Sequence, residues 1–343
     1  MRAVAYTRSL PVTEPDVFLD VDAPRPKPGP RDLLVNVAAV SVNPVDFKVR
    51  KRDDPGGKPK ILGYDAAGTV EAVGSAATLF KPGDAVFYAG DITRPGTNSE
   101  YHVVDERIVG RKPKTIGFAE AAALPLTSLT AWELLFDRIG VKEGAPSDRR
   151  SLLVVGGAGG VGSIAIQLAR VLTGMTVIAT ASRPESADWA SKLGAHHIVD
   201  HSKPLAPQLA ALGFPAVDIV AALAGTRGHA GALIELLAPQ GRLGLIEGDA
   251  LSDLTIGDIA KLSPKCASLH FELMFTRPRF GTPDMIRQHE ILNAVADLVD
   301  QGRLRSTMTR RLAPIDAANL REAHAAVESG RTIGKIVLEG WPS

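Results

Sequence analysis

The chain has 343 residues, of which 45% are hydrophobic and 22% are charged, and its formal net charge is +1. These values are typical of a globular protein long enough to form two hydrophobic cores. The near-zero net charge excludes the basic surface of a nucleic-acid-binding protein and gives no attraction to an anionic membrane. The single cysteine, Cys266, excludes an internal disulfide and favours a reducing compartment. We expect its thiol to be buried and inert, because it lies in an apolar stretch.

The first part of the chain, residues 1–124, has the pattern of a β-barrel. It begins directly with strand-like residues and shows no signal-peptide pattern, which favours a cytoplasmic location. Short apolar, β-branched runs at 33–40, 68–73 and 85–88 are separated by turns rich in glycine and proline. Such runs predict an antiparallel, barrel-like domain.

Strand-like and helix-like segments alternate from residue 125 to residue 280. The predicted strands are at 152–155, 176–179, 197–199, 217–221, 242–246 and 268–274. This alternation predicts a parallel sheet covered by helices on both faces. Residues 151–169 carry no charge and approach the length of a membrane span, but the glycines at their centre indicate a strand, a turn and a helix instead. We therefore expect no membrane segment.

The last part, residues 281–343, begins with an amphipathic helix at about 283–299 and ends in a strand-like run at 335–338. We predict that it rejoins the first domain, so that a Rossmann domain is inserted in a barrel domain and the fold is α/β plus β. The preceding loop contains Arg277 and Arg279, whose side chains we expect to face solvent, with a dimer edge or a substrate phosphate as the alternatives.

A glycine-rich motif is the most informative feature of the sequence. It follows the predicted strand 152–155, precedes a predicted helix, and comprises Gly157, Gly159, Gly160, Val161 and Gly162. In a G-x-G-x-x-G motif the glycines permit a tight turn, a close approach of backbone N–H groups to a pyrophosphate, and packing of helix on strand. A glycine-rich turn without a ligand is the alternative, but the strand–turn–helix context favours a dinucleotide site.

The cofactor is predicted from the end of the second strand of this domain. A site for NAD needs an acidic residue about 20 residues after the glycines, to bind the ribose 2′-hydroxyl. Residues 178–183 contain no acid, whereas Ser182 and Arg183 offer a hydroxyl and a guanidinium to a 2′-phosphate. The sequence therefore predicts NADPH, with a solvated loop as the alternative role of Arg183.

Six motifs in a fixed order resemble the medium-chain dehydrogenase/reductase superfamily, in particular its zinc-free quinone oxidoreductase branch. The resemblance covers essentially the whole chain. The motifs are Ser41–Asp46, Gly63–Gly68, Lys81–Val86, Leu129–Trp132, Gly156–Gly162 and Gly334–Leu338. The resemblance implies a GroES-like barrel that carries the catalytic residues, an inserted Rossmann domain, and a homodimer or homotetramer.

The sequence departs from the zinc-dependent members of that superfamily. Asn43 stands where they have a cysteine ligand, and Tyr64 and Asp65 stand where they have histidine and glutamate. A catalytic zinc needs three protein ligands that converge on one point, and the residues here supply too few. We therefore expect no metal, and we expect relatives to carry zinc-type names by inheritance.

The resemblance also implies roles for individual residues. Asn43, Asp46 and Tyr64 resemble the residues that line the nicotinamide and the substrate. Thr130 resembles a residue beside the nicotinamide carboxamide, while Gly159–Gly162 resembles the diphosphate cradle.

Four further positions are implied to bind the cofactor. Ser182, Arg183 and His201 fall where relatives hold the 2′-phosphate or the adenosine, and an exposed loop histidine is the alternative for His201. Lys335, in the last strand, resembles a phosphate contact from the barrel domain.

Without a metal, hydride transfer is easiest to acceptors that delocalise the developing charge, such as quinones and α,β-unsaturated carbonyl compounds. The Asn43 amide and the Tyr64 phenol are candidate donors to the enolate oxygen, and Tyr64 or a water is the candidate proton donor. Asp46 is expected to orient Asn43 or Lys48. The predicted function is NADPH-dependent reduction of a small quinone or enone. The alternatives are a zinc-type alcohol dehydrogenase or carbonyl reductase, and a non-catalytic NADPH-binding sensor or structural protein.

Overall fold

The computed structural model describes residues 1–225, 229–246, 252 and 254–342. The chain forms two compact units, one of Met1–Leu129 with Phe275–Ser343 and one of Thr130–Met274. The boundaries lie a few residues from those predicted at 125 and 280. The first differs because the change in pattern at Pro125 marks the beginning of a helix, Pro125–Trp132, rather than the beginning of the second unit.

The strands and helices are numbered in chain order. The strands are β1 (Arg2–Tyr6), β2 (Leu19–Asp22), β3 (Asp32–Ser41), β4 (Lys60–Ile61), β5 (Ala66–Val73), β6 (Ala85–Tyr88), β7 (Tyr101–Asp105), β8 (Val109–Arg111), β9 (Ser151–Val155), β10 (Thr176–Thr180), β11 (His197–Val199), β12 (Val217–Ala222), β13 (Leu237–Leu245), β14 (Ser268–Phe271), β15 (Met308–Leu312) and β16 (Lys335–Glu339). The α-helices are α1 (Pro44–Arg52), α2 (Phe118–Ala122), α3 (Pro125–Trp132), α4 (Gly160–Leu172), α5 (Pro184–Lys192), α6 (Leu205–Ala211), α7 (Ala230–Glu235), α8 (Ile256–Ala260), α9 (Thr276–Phe280), α10 (Arg287–Asp300) and α11 (Ala317–Glu328). Short 3-10 turns lie at Pro15–Val17, Glu106–Ile108 and Ser263–Lys265, and a π-helical segment lies at Glu133–Arg138.

The first unit is built around the long strand β3. Its main sheet has the order β15-β16-β3-β5-β6-β8, with β7 also paired to β3, and a small sheet has the order β2-β1-β4. All these pairs are antiparallel except β15 with β16. The strand-rich, barrel-like character predicted for this part of the chain is confirmed.

The C-terminal part of the chain completes this unit. Strand β16 pairs with β3 through Val337 and Ser41. Helix α10 packs so closely on β8 that a β-carbon added to Gly110 would lie 2.4 Å from the β-carbon of Leu292. The barrel unit is therefore assembled from two segments distant in sequence.

The second unit is a six-stranded parallel sheet with the order β11-β10-β9-β12-β13-β14. Counted within the unit this is the order 3-2-1-4-5-6 of a Rossmann fold, which binds ligands at the carboxyl ends of its strands. All five residues of β9 are buried, because helices cover both faces of the sheet. The predicted α/β part of the fold is confirmed.

Two predicted environments are wrong. Cys266 is exposed rather than buried, because it ends the turn Ser263–Lys265 in a left-handed conformation, with φ of 49°, before β14 begins. The side chain of Arg277 is buried rather than solvated, because the segment predicted as a loop folds into α9 and the guanidinium pairs with Asp284 at 3.0 Å. Among the described residues, no helix has the length and apolar character needed to cross a membrane.

Candidate active site and cofactor site

The candidate active site of the barrel unit lies where β3 ends and α1 begins. Asn43 is the residue before the first turn of α1, and Pro44 fits the first helical position because its missing N–H would have no partner there. The Asp46 Oδ2 atom accepts a hydrogen bond of 2.7 Å from the backbone N–H of Asn43. Asp46 therefore fixes the backbone of Asn43.

The carboxyl group of Asp46 is strongly perturbed. Only 1% of the residue is exposed, and Oδ1 has no hydrogen-bond partner among the described residues. Burial raises the pKa of this carboxyl to about 7, and the backbone N–H of Asn43 and the Lys335 ammonium oppose the increase. Asp46 can therefore exchange a proton near neutral pH.

The side chain of Asn43 is held between two charged groups. The Asn43 Nδ2 atom donates to the Asp65 Oδ2 atom at 2.8 Å, and the Lys335 Nζ atom donates to the Asn43 Oδ1 atom. The Lys335 Nζ and Asp65 Oδ2 atoms are 3.1 Å apart. All three residues are buried. They form a closed triangle of one amide, one carboxylate and one ammonium.

Asp65 has no place in the sequence prediction beyond its mismatch with a zinc ligand. Its Oδ2 atom also accepts from the Ser41 hydroxyl at 2.8 Å, and its Oδ1 atom accepts from the backbone N–H of Leu126 at 2.8 Å. Burial raises the pKa of the Asp65 carboxyl, and Lys335 opposes this change. Within the described part of the chain, every hydrogen-bond partner of this carboxyl group is a donor, as expected of an ionised acid.

Lys335, for which the family resemblance implies a phosphate contact, is bound by protein acceptors in the barrel unit. Its ammonium donates to the backbone oxygen of Val42 at 2.9 Å and to the side chains of Asn43 and Asp65. An ammonium has three donors, so protein acceptors use all of them. Burial lowers the pKa of Lys335, and Asp65 opposes this change.

Tyr64 adds a buried phenol to the same unit. Its ring meets that of Phe275 edge to face, with centroids 5.2 Å apart. Burial raises the pKa of the Tyr64 hydroxyl far above its ordinary value, and the charge of Asp46 adds to the effect. The hydroxyl therefore stays protonated and is available as a hydrogen-bond donor.

These residues do not fit a catalytic zinc. Among the residues that the structure describes, no group of three or more His, Cys, Asp or Glu side chains could hold a metal ion. Asn43 and Asp65 stand at two positions where the zinc-dependent members of the superfamily have metal ligands. Both side chains are bound to Lys335. The donor set offers hydrogen bonds rather than the three ligands that zinc requires.

The second unit contains the candidate cofactor site, at the carboxyl end of β9. Gly156 has φ of 81°, which favours glycine, and Gly159 is the residue before the first turn of α4. A β-carbon added to Gly162 would lie 2.3 Å from the Gly156 carbonyl oxygen, and one added to Gly157 would lie 2.8 Å from the Ala179 β-carbon. The motif thus forms a tight cradle at a helix N-terminus, whose first-turn N–H groups lack intrahelical acceptors. Gly160, Val161 and Gly162 supply these groups, so the residues present fit the phosphates of a dinucleotide.

Thr180, the last residue of β10, links two of the predicted positions and was missed. Its Oγ1 atom accepts from the Gly156 N–H at 3.0 Å and lies 3.0 Å from the His201 Nδ1 atom. Because Thr180 ends the strand next to β9, its place at the sheet's carboxyl edge was available from the strand pattern. His201 is exposed, apart from this contact.

The remaining predicted cofactor residues lie in three settings. Ser182 is exposed and Arg183 is half-buried, directly before α5. Thr130 is buried in α3, with 6% of the residue exposed. The structure thus connects Gly156 and His201 through Thr180 in one unit, and brings Asn43 into contact with Asp46 and Lys335 in the other.

Comparison with known proteins identifies the family. Residues 29–131 match the alcohol dehydrogenase GroES-like domain, and residues 193–338 match the zinc-binding dehydrogenase family. A zinc-type alcohol dehydrogenase-like protein of Staphylococcus aureus (strain MSSA476) is 38% identical over 339 residues, which are 98% of this chain and 99% of the relative. The expectation of zinc-type names among relatives is confirmed.

Solved structures agree with this assignment. A Rhizobium etli CFN 42 protein named for the zinc-dependent alcohol dehydrogenases is 57% identical, with a TM-score of 0.93 and coverage of 100% of this chain and 99% of that one. The quinone oxidoreductase of Coxiella burnetii is 28% identical, with a TM-score of 0.79 and coverage of 99% of both chains. The chain is therefore an oxidoreductase of the medium-chain dehydrogenase/reductase superfamily, which binds a nicotinamide dinucleotide.

Proposed function

We propose that the chain is a zinc-free, NADPH-dependent reductase of quinones or α,β-unsaturated carbonyl compounds. The observation that carries the proposal is the environment of Asn43, where an amide is bound to Asp65 and Lys335 at the position of a zinc ligand in metal-dependent relatives. Such a site can donate hydrogen bonds to an oxygen, but it cannot act as a Lewis acid.

The choice of acceptor follows from the charge that develops during the reaction. Hydride addition to a simple carbonyl concentrates negative charge on one oxygen, which a zinc ion would stabilise. Addition to the β-carbon of an enone, or to a quinone, spreads the charge over a conjugated system. A few preorganised donors are then sufficient, and the barrel unit offers these in Asn43 and Tyr64.

The bound dinucleotide supplies the hydride. An enone accepts this hydride at its β-carbon, its negative charge moves to the carbonyl oxygen, and a proton added at the α-carbon gives the saturated ketone. The Asn43 amide donates to the oxygen as its charge grows. Tyr64, which stays protonated, is a second donor and the candidate source of the proton, with a water as the alternative.

We propose NADPH rather than NADH as the reductant. Gly157–Gly162 hold the diphosphate, Thr130 lies beside the nicotinamide carboxamide, and Ser182, Arg183 and His201 hold the 2′-phosphate or the adenosine. The support for this is the absence of an acidic side chain from residues 178–183, together with the half-buried guanidinium at position 183.

A zinc-type alcohol dehydrogenase or carbonyl reductase is the second candidate, because relatives of the chain bear alcohol dehydrogenase names. A panel assay separates the two. The purified protein is tested for NADPH oxidation by quinones, enones and aldehydes, and for NADP⁺ reduction by alcohols, with and without a chelator. We expect turnover with a quinone or enone, resistance to the chelator, and less than stoichiometric zinc by elemental analysis.

Alcohol oxidation faster than any enone or quinone reduction, with tightly bound zinc lost together with activity, would support the second candidate. No turnover with any compound would support a non-catalytic NADPH-binding protein.

We also propose a homodimer or homotetramer, as the family resemblance implies, and a cytoplasmic location, which the single cysteine supports. Light scattering coupled to gel filtration tests the first of these, and cell fractionation tests the second.

A further inference from the structure

The triangle of Asn43, Asp65 and Lys335 has chemistry that fixes the orientation of the amide. An ammonium can only donate hydrogen bonds and an ionised carboxylate can only accept them. The Asn43 oxygen must therefore face Lys335, and its nitrogen must face Asp65. A reversed amide would place its N–H groups against the ammonium and its oxygen against the carboxylate, so both contacts would become repulsive.

The network leaves one donor available. Lys335 uses its three donors on Val42, Asn43 and Asp65. The Asn43 Nδ2 atom carries two hydrogens, and within the described residues it has one acceptor, Asp65. The second N–H of Asn43 is the donor that the closed network does not satisfy.

Burying two charged groups is costly, and replacing a buried ion pair with apolar residues is often neutral or stabilising. Ser41 and Leu126 supply two further donors to Asp65. The ammonium on the amide oxygen draws electron density away from the amide nitrogen, in a low-dielectric site where such interactions are strong. This makes the second N–H a better donor to an oxygen that gains negative charge.

We propose that Asp65 and Lys335 are positioning residues for Asn43. They hold its amide in the orientation that leaves the second N–H free to bind the oxygen of the acceptor. This inference rests on the proposed quinone or enone reduction for the identity of that oxygen. It replaces the phosphate contact that the family resemblance implies for Lys335.

The experiment compares Lys335→Met, Asp65→Asn, the double variant Asp65→Asn/Lys335→Met, and each single change in the Asn43→Ala background. Glu106→Gln is the matched control, because Glu106 is also fully buried in the barrel unit and accepts hydrogen bonds from Thr78, Leu79 and Arg31. For each variant kcat and KM for the acceptor, the Kd for NADPH from fluorescence titration, and the melting temperature are measured.

We expect kcat to fall roughly ten- to a hundredfold in both single variants, with the Kd for NADPH within about twofold of wild type. The double variant leaves no unpaired buried charge, so its melting temperature should recover while its kcat stays low. In the Asn43→Ala background neither change should lower kcat further, because the group that it positions is gone. Glu106→Gln should lower the melting temperature and leave kcat unchanged.

Three results would overturn the inference. Recovery of kcat together with stability in the double variant would show a structural role. Additive losses in the Asn43→Ala background would show that the pair acts independently of Asn43. A tenfold or greater rise in the Kd for NADPH in Lys335→Met, with kcat unchanged, would restore the phosphate role.

A crystal structure of the double variant keeps this inference separate from the proposed function. If the wild type reduces no quinone or enone, the proposed function fails, but a rotated or disordered Asn43 amide in the double variant would still support positioning. An Asn43 side chain in the wild-type orientation would contradict it.

Discussion

Several polar side chains at the end of β3 are buried with almost no solvent contact, which costs free energy unless each group is paired. Asn43, Asp65 and Lys335 satisfy one another, whereas one oxygen of Asp46 has no partner among the described residues. Tyr64 is likewise buried. Polar groups that are buried and incompletely satisfied are characteristic of sites that bind a ligand or transfer protons.

The first prediction at this scale concerns the two proposed donors. In the ground state a carbonyl oxygen binds a donor weakly, and it does so strongly only as hydride arrives. Asn43→Ala and Tyr64→Phe should therefore lower kcat and kcat/KM together, by roughly ten- to a thousandfold, in steady-state kinetics with saturating NADPH. The controls are Asn36→Ala, on the exposed side of β3, and Tyr88→Phe, a buried phenol that binds His102. Wild-type kcat in both active-site variants would exclude the mechanism.

The second concerns the proton of Asp46. Its pKa is about 7 in the folded protein and near 4 in the unfolded chain, so the folded state holds the proton more tightly. The stability that this group contributes is complete below about pH 4 and is lost as the pH rises through about 7. Asp46→Asn cannot ionise, but it keeps an oxygen for the Asn43 N–H. The free energy of unfolding of the variant, relative to wild type, should therefore increase from pH 4 to pH 8 in urea titrations. Asp22→Asn, at an exposed position, is the control, and a difference independent of pH would contradict the prediction.

The third concerns the 2′-phosphate of the cofactor. Arg183→Ala should raise KM for NADPH and leave that for NADH nearly unchanged, because only NADPH carries this phosphate. A charge-assisted contact contributes about 1.5–3 kcal/mol, or roughly ten- to a hundredfold. Lys192→Ala removes an exposed cation at the other end of α5 and should change neither value. Equal changes in KM for NADPH and for NADH in Arg183→Ala would contradict the assignment of Arg183 to the 2′-phosphate.

At the scale of elements, the junction between β9 and α4 forms the candidate cofactor cradle, and the junction between β3 and α1 forms the candidate active site. Both use a strand that ends beside the beginning of a helix. In the first case glycines bring the backbone close to the ligand, and in the second Asn43 and Asp46 contribute side chains. The same local geometry thus serves a phosphate in one unit and a carbonyl oxygen in the other, in the function proposed here.

Two glycines with nearly equal backbone angles allow a matched test of the cradle. Gly159, before α4, has φ and ψ of −71° and 174°, and Gly117, before α2 in the other unit, has −73° and 173°. Neither angle is strained for alanine, and an added β-carbon would find its nearest neighbour at 3.4 Å and 3.9 Å, respectively. Gly159→Ala and Gly117→Ala should therefore have similar small effects on melting temperature. Only Gly159→Ala should raise the Kd for NADPH, because its methyl group enters the approach of the phosphates. An unchanged Kd would place the phosphates elsewhere.

At the scale of the whole molecule, the two units differ in how the chain builds them. The Rossmann unit comes from one continuous segment, whereas the barrel unit needs residues from both ends of the chain. Strand β3 pairs with β16, and Gly110 accommodates Leu292 of α10. We therefore expect the Rossmann unit to fold as a separate fragment, and the barrel unit to need both of its segments.

We expect a fragment of residues 125–274, which keeps α3 intact, to unfold cooperatively, because its sheet is complete. A fragment of residues 1–129 should not fold, since it lacks β15, β16 and α10. Circular dichroism melts test both, with coexpression of residues 275–343 as the control that should restore the barrel unit. Cooperative unfolding of residues 1–129 alone would contradict this.

The sequence by itself determined whatever depends on neighbouring residues. The alternation of strands and helices and the glycines at 157–162 are local patterns, and each predicted the correct element because backbone conformation is set largely by nearby residues. Asn43 and Asp46 were identified through the family resemblance instead, and the structure places them three residues apart at the beginning of one helix. Thr180 was accessible by the same reasoning, as the last residue of a recognised strand.

Only the tertiary structure decided which groups share a buried site. Lys335 meets Asn43 across 292 positions of the chain, and Asp65 across 270. No periodicity connects such residues, and a lysine at the beginning of a strand has no local signal for burial. The burial of Cys266 and Arg277 was also predicted wrongly from their neighbours in sequence. Cys266 is an exposed thiol in an apolar stretch, and Arg277 is a buried guanidinium in a polar one. Burial depends on what packs against a residue, and for these positions that is determined by segments far away in the sequence.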